Sequence, residues 1–223
     1  MSYSPHEEIH VCEDGETRKI IIECDEHGGR ESPLENDDWC EMVTPTGMRA
    51  HYGHKQVDGD WLQPDKDGKV PYIHGGWEGY FEDQKPILVL PVGKYEHSGI
   101  LLYIGKAGSC PWDSGQIGWI WIDAAGFKKV TLKDWEETPE NLKRAEELLT
   151  SVVDAYSHWV SNDIWGYRIE KLIPECEHGH PEEWITDDDD EYSGCWGYLG
   201  DWDKCGVLED ARQRLGVPQK KAA

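Results

Sequence analysis

Thr138-Pro139-Glu140-Asn141-Leu142-Lys143-Arg144-Ala145-Glu146-Glu147-Leu148-Leu149 opens the stretch that decides the fold, and Thr150-Ser151-Val152-Val153-Asp154-Ala155-Tyr156-Ser157-His158-Trp159-Val160 completes it. Thr138 is an N-cap residue, and Pro139 follows at the first helical position, where a missing N–H costs nothing. Glu140 stands near the positive end of the helix dipole. Leu142, Ala145, Leu149, Val152, Val153, Tyr156, Trp159 and Val160 recur at spacings of three and four. That period predicts a single amphipathic helix of about six turns with one apolar stripe, ended by Ser161-Asn162-Asp163.

Such a stripe needs a surface to cover, and the preceding sequence supplies strands. Ile87–Val92, Ser98–Ile104 and Gln116–Asp123 are apolar runs too short for typical helices. The short connection over 93–97 predicts an antiparallel hairpin between the first two. Further upstream, Thr17–Cys24 reads as a strand ending at an Asp-Glu-His-Gly-Gly turn, and Cys40–Thr44 as a short strand stopped by Pro45. Residues 53–86 read as a surface insertion, with turns between short strands at 57–61 and 64–70, and are expected to form a small hairpin excursion on the surface. A short helical turn is expected around Leu132–Glu137. Downstream, Ile164–Glu170 and Cys195–Leu199 read as strands, 174–191 as an acidic loop, and Asp203–Leu215 as a helix ended by Gly216. The order predicts an α+β fold: a mostly antiparallel sheet packed against one long helix, with a surface insertion and a short C-terminal helix. One domain over 1–218 and a disordered tail over 219–223 complete the expectation.

The chain has 223 residues, with 22 Lys and Arg against 45 Asp and Glu, a formal charge of −23. No basic patch is available to neutralise phosphates, so direct nucleic-acid binding is not expected. No run approaches the ~18 apolar residues of a membrane helix. Twelve Trp, ten Tyr and two Phe exclude a wholly solvated coil. Seven cysteines, at 12, 24, 40, 110, 176, 195 and 205, are odd in number and form no Cys-x-x-Cys pair. With no signal-peptide pattern after Met1, they point to free thiols in a reducing cytoplasm.

Several segments, in order, resemble a family of uncharacterised tailed-phage proteins. They are Glu31-Ser32-Pro33-Leu34-Glu35-Asn36-Asp37 with Glu41-Met42-Val43, then Leu90-Pro91-Val92 with Tyr95-Glu96-His97-Ser98-Gly99-Ile100. Cys110-Pro111-Trp112-Asp113-Ser114-Gly115-Gln116 is the most specific of them. Asn162-Asp163-Ile164-Trp165-Gly166-Tyr167 and Ser193-Gly194-Cys195-Trp196-Gly197-Tyr198 follow. The family carries paired arginines after its first motif, whereas this chain reads Thr44-Pro45-Thr46-Gly47-Met48-Arg49-Ala50-His51-Tyr52. The resemblance implies a phage-encoded protein of the host cytoplasm and implies no activity.

Three groups of residues could carry chemistry. His97 and Cys110 lie just outside strands expected to pair, so a Cys–His pair oriented by Asp113 could act as base and nucleophile. Asp113 and Ser114 also suit a turn that bonds its own backbone. Tyr95, Glu96, Trp112, Ser114, Trp196 and Tyr198 could surround that group as a polar-aromatic pocket for a small ligand or peptide. Cys176, His178 and His180 alternate as metal ligands do, but no second half stands at a recognised spacing. Asp187-Asp188-Asp189-Asp190-Glu191 lacks the alternation and the distant Glu of a calcium loop. No metal and no cofactor are therefore expected.

The acidic segments suggest a binding role. Residues 175–191 and Glu31–Glu41 are dense in carboxylates. On one face they would imitate spaced phosphates and occupy the basic cleft of a host nucleic-acid enzyme, with salt-sensitive association. The leading expectation is an acidic phage protein that binds and modulates a host protein. The alternative is a small enzyme or ligand binder centred on His97, Cys110 and Asp113. A structural or assembly role has no specific sequence feature behind it.

Overall fold

The computed structural model describes residues 5–25, 39–45, 55–57, 62–64, 71–73, 81–82, 84–97, 99–105, 110, 112–175, 177–178, 181–186 and 193–217. The chain forms an α+β structure with antiparallel sheets, and it divides into two compact units: Met1–Arg30 with Asn162–Ala223, and Glu31–Ser161. No helix among the described residues is long and apolar enough to cross a membrane.

The Glu31–Ser161 unit is built on the expected helix. This helix, α2 (Pro139–Val160), starts at Thr138, whose hydroxyl accepts from Asn141 N–H at 3.2 Å. Its buried residues are Ala145, Leu149, Val152, Val153, Tyr156 and the polar Ser157; of the predicted stripe, Trp159 and Val160 are half-buried and Leu142 is exposed. The stripe covers a five-stranded sheet of β3 (Glu41–Pro45), β4 (Lys55–Val57), β7 (Leu88–Glu96), β8 (Ile100–Ile104) and β9 (Ser114–Ile122), ordered β4-β3-β9-β7-β8. All pairings but β3–β4 are antiparallel. Met42, Val92, Leu102, Ile117, Ile120 and Ile122 meet the helix in one core. The apolar residues recur on one face of each element, so burial and secondary structure reinforce each other. The β7–β8 hairpin turns later than expected, after Glu96, which pairs with Ile100, because β7 runs on to Glu96. The hairpin expected within 53–86 is present as β5 (Leu62–Pro64) and β6 (Pro71–Ile73).

One expectation is corrected here. The helical turn placed at Leu132–Glu137 is absent. The helix lies earlier, as α1 (Ala124–Thr131), and 132–138 is non-helical. Asp123 ends the strand and caps the helix, its carboxylate accepting from Gly126 N–H at 2.7 Å. Leu132 terminates it with a left-handed backbone (φ 60°), an unusual conformation for a Leu, at 88% exposure.

The other unit carries a second five-stranded antiparallel sheet: β1 (His6–Val11), β2 (Thr17–Cys24), β10 (Ile164–Ile173), β11 (Glu183–Thr186) and β12 (Gly194–Leu199). Strand β10 is its hub, pairing with β2, β11 and β12. The C-terminal helix α3 (Val207–Arg214) covers one face, where Val207 and Ala211 meet Ile20, Ile22, Tyr167 and Ile169. Strand β11 lies within the segment expected to be only an acidic loop. Strand β1 precedes the first expected strand, and its faces are inverted: His6, Glu8 and His10 are half-buried while Ile9 and Val11 are 60% and 74% exposed.

Candidate functional site

His97, Cys110 and Asp113 come together at the tip of the β7–β8 hairpin, beside the turn that leads into β9. The Asp113 carboxylate is their centre. Its Oδ2 accepts from the Cys110 thiol at 3.3 Å and lies 3.4 Å from His97 Nδ1. The backbone locks this arrangement. Glu96 N–H donates to the Asp113 carbonyl at 2.8 Å, Ser114 N–H to the Cys110 carbonyl at 3.0 Å, and His97 N–H to the Gly99 carbonyl at 3.1 Å. The Ser114 hydroxyl donates to the same Cys110 carbonyl. The Tyr95 ring lies 6.4 Å from the His97 ring, and Lys94 Nζ pairs with Glu96 at 2.5 Å.

The order of the three groups decides their chemistry. A nucleophilic thiol needs the imidazole next to it as base, with a carboxylate behind the imidazole. Here the carboxylate stands between thiol and imidazole, and the thiol serves as a hydrogen-bond donor. The His97 side chain is 69% exposed, so the group sits on an open turn. The tip is therefore a braced surface feature, and it carries Trp112 at 92% exposure.

Trp196 and Tyr198 belong to the other compact unit, on β12. Trp196 is 45% exposed and its ring lies where a Cβ on Gly166 would stand. The Tyr198 hydroxyl donates to Asp210 Oδ2 at 2.7 Å, and that of the fully buried Tyr167 donates to the same oxygen at 3.0 Å. Tyr198 first, and then Tyr167, hold the Asp210 carboxyl below its ordinary range. Burial first, and then Asp210, push both phenols well above theirs.

Asp210 also borders a cleft of about 830 Å³ between the β1–β2 turn, β10 and the end of α3. Cys12, Asp14, Arg18, Lys171, Ser193 and Arg214 are among its walls. The size suits a small ligand, but its cations are engaged by carboxylates. Arg18 Nη1 meets Asp14 at 2.7 Å and Nη2 meets Glu16 at 2.5 Å; Lys171 also pairs with Glu16, and Arg214 Nε lies 3.7 Å from Asp210. No sequence signal singled out these residues, because they are local neighbours only after β2, β10 and α3 have assembled.

Two further ionic groups are built on the same sheet. Arg212 grips Glu8 with two nitrogens, at 2.8 and 2.6 Å, while His6 and His10 approach its two oxygens at 3.3 and 2.8 Å. The His6 ring stacks on Trp202 at 5.1 Å. The Arg212 hydrogen bonds foremost, with the two imidazoles, hold the Glu8 carboxyl down at about 2 against the opposing effect of burial. Elsewhere Glu170 receives Lys19 at 2.7 Å and also Arg168, whose Nε reaches Glu23 at 3.2 Å. Burial raises the Glu170 carboxyl, but these two cations outweigh it and the net shift is downward.

The acidic run Asp187, Asp188, Asp189, Asp190 and Glu191 lies outside the described residues, as do Cys176, His180 and residues 31–38 and 219–223. His178 is described and exposed. Among the described residues no group of three or more His, Cys, Asp or Glu side chains has the arrangement of a metal site. Comparisons with protein-family models, curated proteins and solved structures find no match to this chain.

Proposed function

We propose that this chain is an acidic phage protein that binds and modulates a host protein, presenting carboxylates to a basic cleft as a duplex presents phosphates. The observation that carries this reading is how the charge is disposed. The chain is at −23, and many of its few cations are already held in internal ion pairs. Arg18, Lys19, Arg168, Lys171 and Arg212 each face a carboxylate of the same compact unit. What remains to attract a partner is an excess of negative charge. It steers basic surfaces inward over roughly a Debye length, ~8 Å in physiological salt, and repels nucleic acid. The motif resemblance supports the phage origin.

Affinity capture from a bacterial lysate, eluted in salt steps, tests the reading. A basic nucleic-acid-binding protein is expected, released by moderate salt and displaced by added duplex DNA. Replacing 187–191 by Asn and Gln should weaken its retention. Retention that neither salt nor DNA disturbs would overturn the mimicry.

The meeting of His97, Cys110 and Asp113 on one turn favours a second reading, a ligand-binding turn. A catalytic role would need His97 to activate the thiol past the interposed Asp113 carboxylate. Iodoacetamide labelling of Cys110, followed by mass spectrometry, should then slow several-fold in His97→Ala. Equal rates would leave the thiol as a turn-bracing donor.

A further inference from the structure

Strand β1 is the outermost strand of its sheet, and it carries none of the devices that keep such an edge from pairing again. It has no proline, no lysine and no bulge, and its register with β2 runs unbroken from His6↔Ile22 to Val11↔Thr17. The turn that follows fixes where its backbone groups point. Cys12 N–H donates to the Glu16 carbonyl and Gly15 N–H to the Cys12 carbonyl, each at 2.9 Å, so Cys12 faces β2. That orientation alternates along an antiparallel ladder. His10, Glu8 and His6 therefore also bond towards β2. The N–H and C=O groups of Glu7, Ile9 and Val11 face outward, where no described strand meets them.

The side chains of these three residues share one face of the strand. Ile9 and Val11 are exposed apolar residues, and Glu7 and Glu13, which flank them in sequence, are exposed as well. Among the described residues neither Glu7 nor Glu13 has an ion-pair partner, whereas Arg212 holds Glu8 and Arg18 holds Asp14 and Glu16. The edge thus offers an acid, two apolar side chains and an acid, in that order. The strand itself is held in place. Two Arg212 nitrogens grip Glu8, and the His6 ring stacks on Trp202. A strand already fixed loses little freedom when a neighbour is added.

Two copies of this chain fit the edge poorly. Laid antiparallel with Ile9 against Val11, they would bring Glu7 opposite Glu13, like charge against like, in chains that each carry −23. The register with Ile9 on Ile9 would put Val11 on Glu7. Nucleic acid is repelled by the same net charge. An extended segment with two apolar side chains between two cations matches both the apolar pair and the free carboxylates.

We infer that the outer edge of β1 is a strand-addition site for an extended segment of a partner protein, apolar at two alternate positions and bearing Lys or Arg two residues beyond each. Main-chain hydrogen bonds to Glu7, Ile9 and Val11 hold the segment, and the Glu7 and Glu13 carboxylates receive its cations. This rests on the acidic-binder reading for the basic character of the partner, and it adds the edge on which that partner docks.

The probe is the peptide Lys-Thr-Val-Thr-Val-Thr-Lys, titrated into the full chain while amide hydrogen exchange is followed by NMR. One control carries N-methyl groups on both valine amides, and another has Glu in place of each Lys. In the free chain the Glu7, Ile9 and Val11 amides should exchange fast and those of Glu8 and His10 slowly. The peptide at saturation should slow the first three by about tenfold or more and leave the other two unchanged. N-methylation should weaken binding about tenfold, the loss expected for two backbone hydrogen bonds. The Glu version should bind more weakly still at low salt. Ile9→Thr combined with Val11→Thr keeps β-branched residues on the exposed face, so it should leave the circular dichroism unchanged while weakening binding several-fold. Equal binding of the N-methylated peptide overturns the inference, as does binding that leaves the three amides exchanging as before. So does protection of these amides in the free chain, whether by a segment of its own or by a second copy detected in sedimentation. Failure of the lysate capture with peptide pairing intact removes the host-modulator reading alone. Salt-sensitive capture without peptide pairing removes the edge alone.

Discussion

The Ser157 hydroxyl, buried on the helix α2, accepts a hydrogen bond from the backbone N–H of Leu102 at 2.8 Å. Leu102 is in β8, the outermost strand of its sheet beside β7. Four residues further along, Ser161 donates its hydroxyl to the Ile100 carbonyl of the same strand. The helix thus satisfies backbone groups that an edge strand otherwise leaves open to pairing with another chain.

Ser157→Ala should destabilise the protein by about 1–3 kcal/mol, because a buried N–H loses its acceptor. Chemical denaturation measures the loss. A change below about 0.3 kcal/mol would show that Leu102 N–H finds another partner.

Glu8 gives a prediction in pH. Its carboxyl is held at about 2, well below the 4.5 of an ordinary glutamate. A carboxylate depressed by folding stabilises the protein fully above its unfolded value, and this contribution disappears as pH falls from 4.5 through 2. The shift corresponds to about 3 kcal/mol at most. Glu8→Gln should therefore be less stable at neutral pH and should show a flatter stability profile over that acid window. Urea midpoints at several pH values read the difference. Parallel profiles for wild type and variant would contradict it.

Asp210 makes the opposite window testable. Tyr167 and Tyr198 both donate to it and both have raised phenol values. Groups raised by folding contribute stability that is present below their unfolded value near 10 and lost as pH climbs beyond it. In a spectrophotometric titration of the ten tyrosines, Asp210→Asn should bring two down toward the ordinary range but leave them above it, because burial, the larger cause, remains. If no phenol moves, the buried network does not control them.

Gly126→Ala should reverse the usual helix propensity. Alanine in a helix is ordinarily favoured over glycine by about 1 kcal/mol. At this position a Cβ would run into the Trp39 carbonyl, a backbone atom that cannot swing aside. A net loss of about 1–3 kcal/mol is expected, from the overpacking range, measured as a lowered melting temperature. A stabilised variant would show that the Trp39 segment yields.

The comparison of sequence with structure divides along a physical line. The helix α2, the strands β2, β3, β7, β8, β9, β10 and β12 and the β5–β6 hairpin were legible, since their apolar periodicity and turn residues are local properties. Strand β1 was not. Its inward residues His6, Glu8 and His10 are polar and are stabilised by Arg212 and Trp202, which stand about two hundred positions away. Helix α1 was misplaced because Asp123 reads equally well as a strand end and as a cap. The proximity of His97, Cys110 and Asp113 followed from hairpin adjacency. That Asp113 stands between the other two did not, since side-chain order depends on how the turns fold back.

The sequence by itself determined the α+β class, the long helix with its buried stripe, the hairpin that carries the tip, and the negative charge. Tertiary structure alone decided that ten of the strands divide between two five-stranded sheets while β5 and β6 pair apart from them, that the cations are drawn into ion pairs, and that Trp112 stands exposed on a braced turn. The first set follows from periodicity and composition, which each segment carries alone. The second depends on which distant side chains become neighbours, and only the folded chain fixes that.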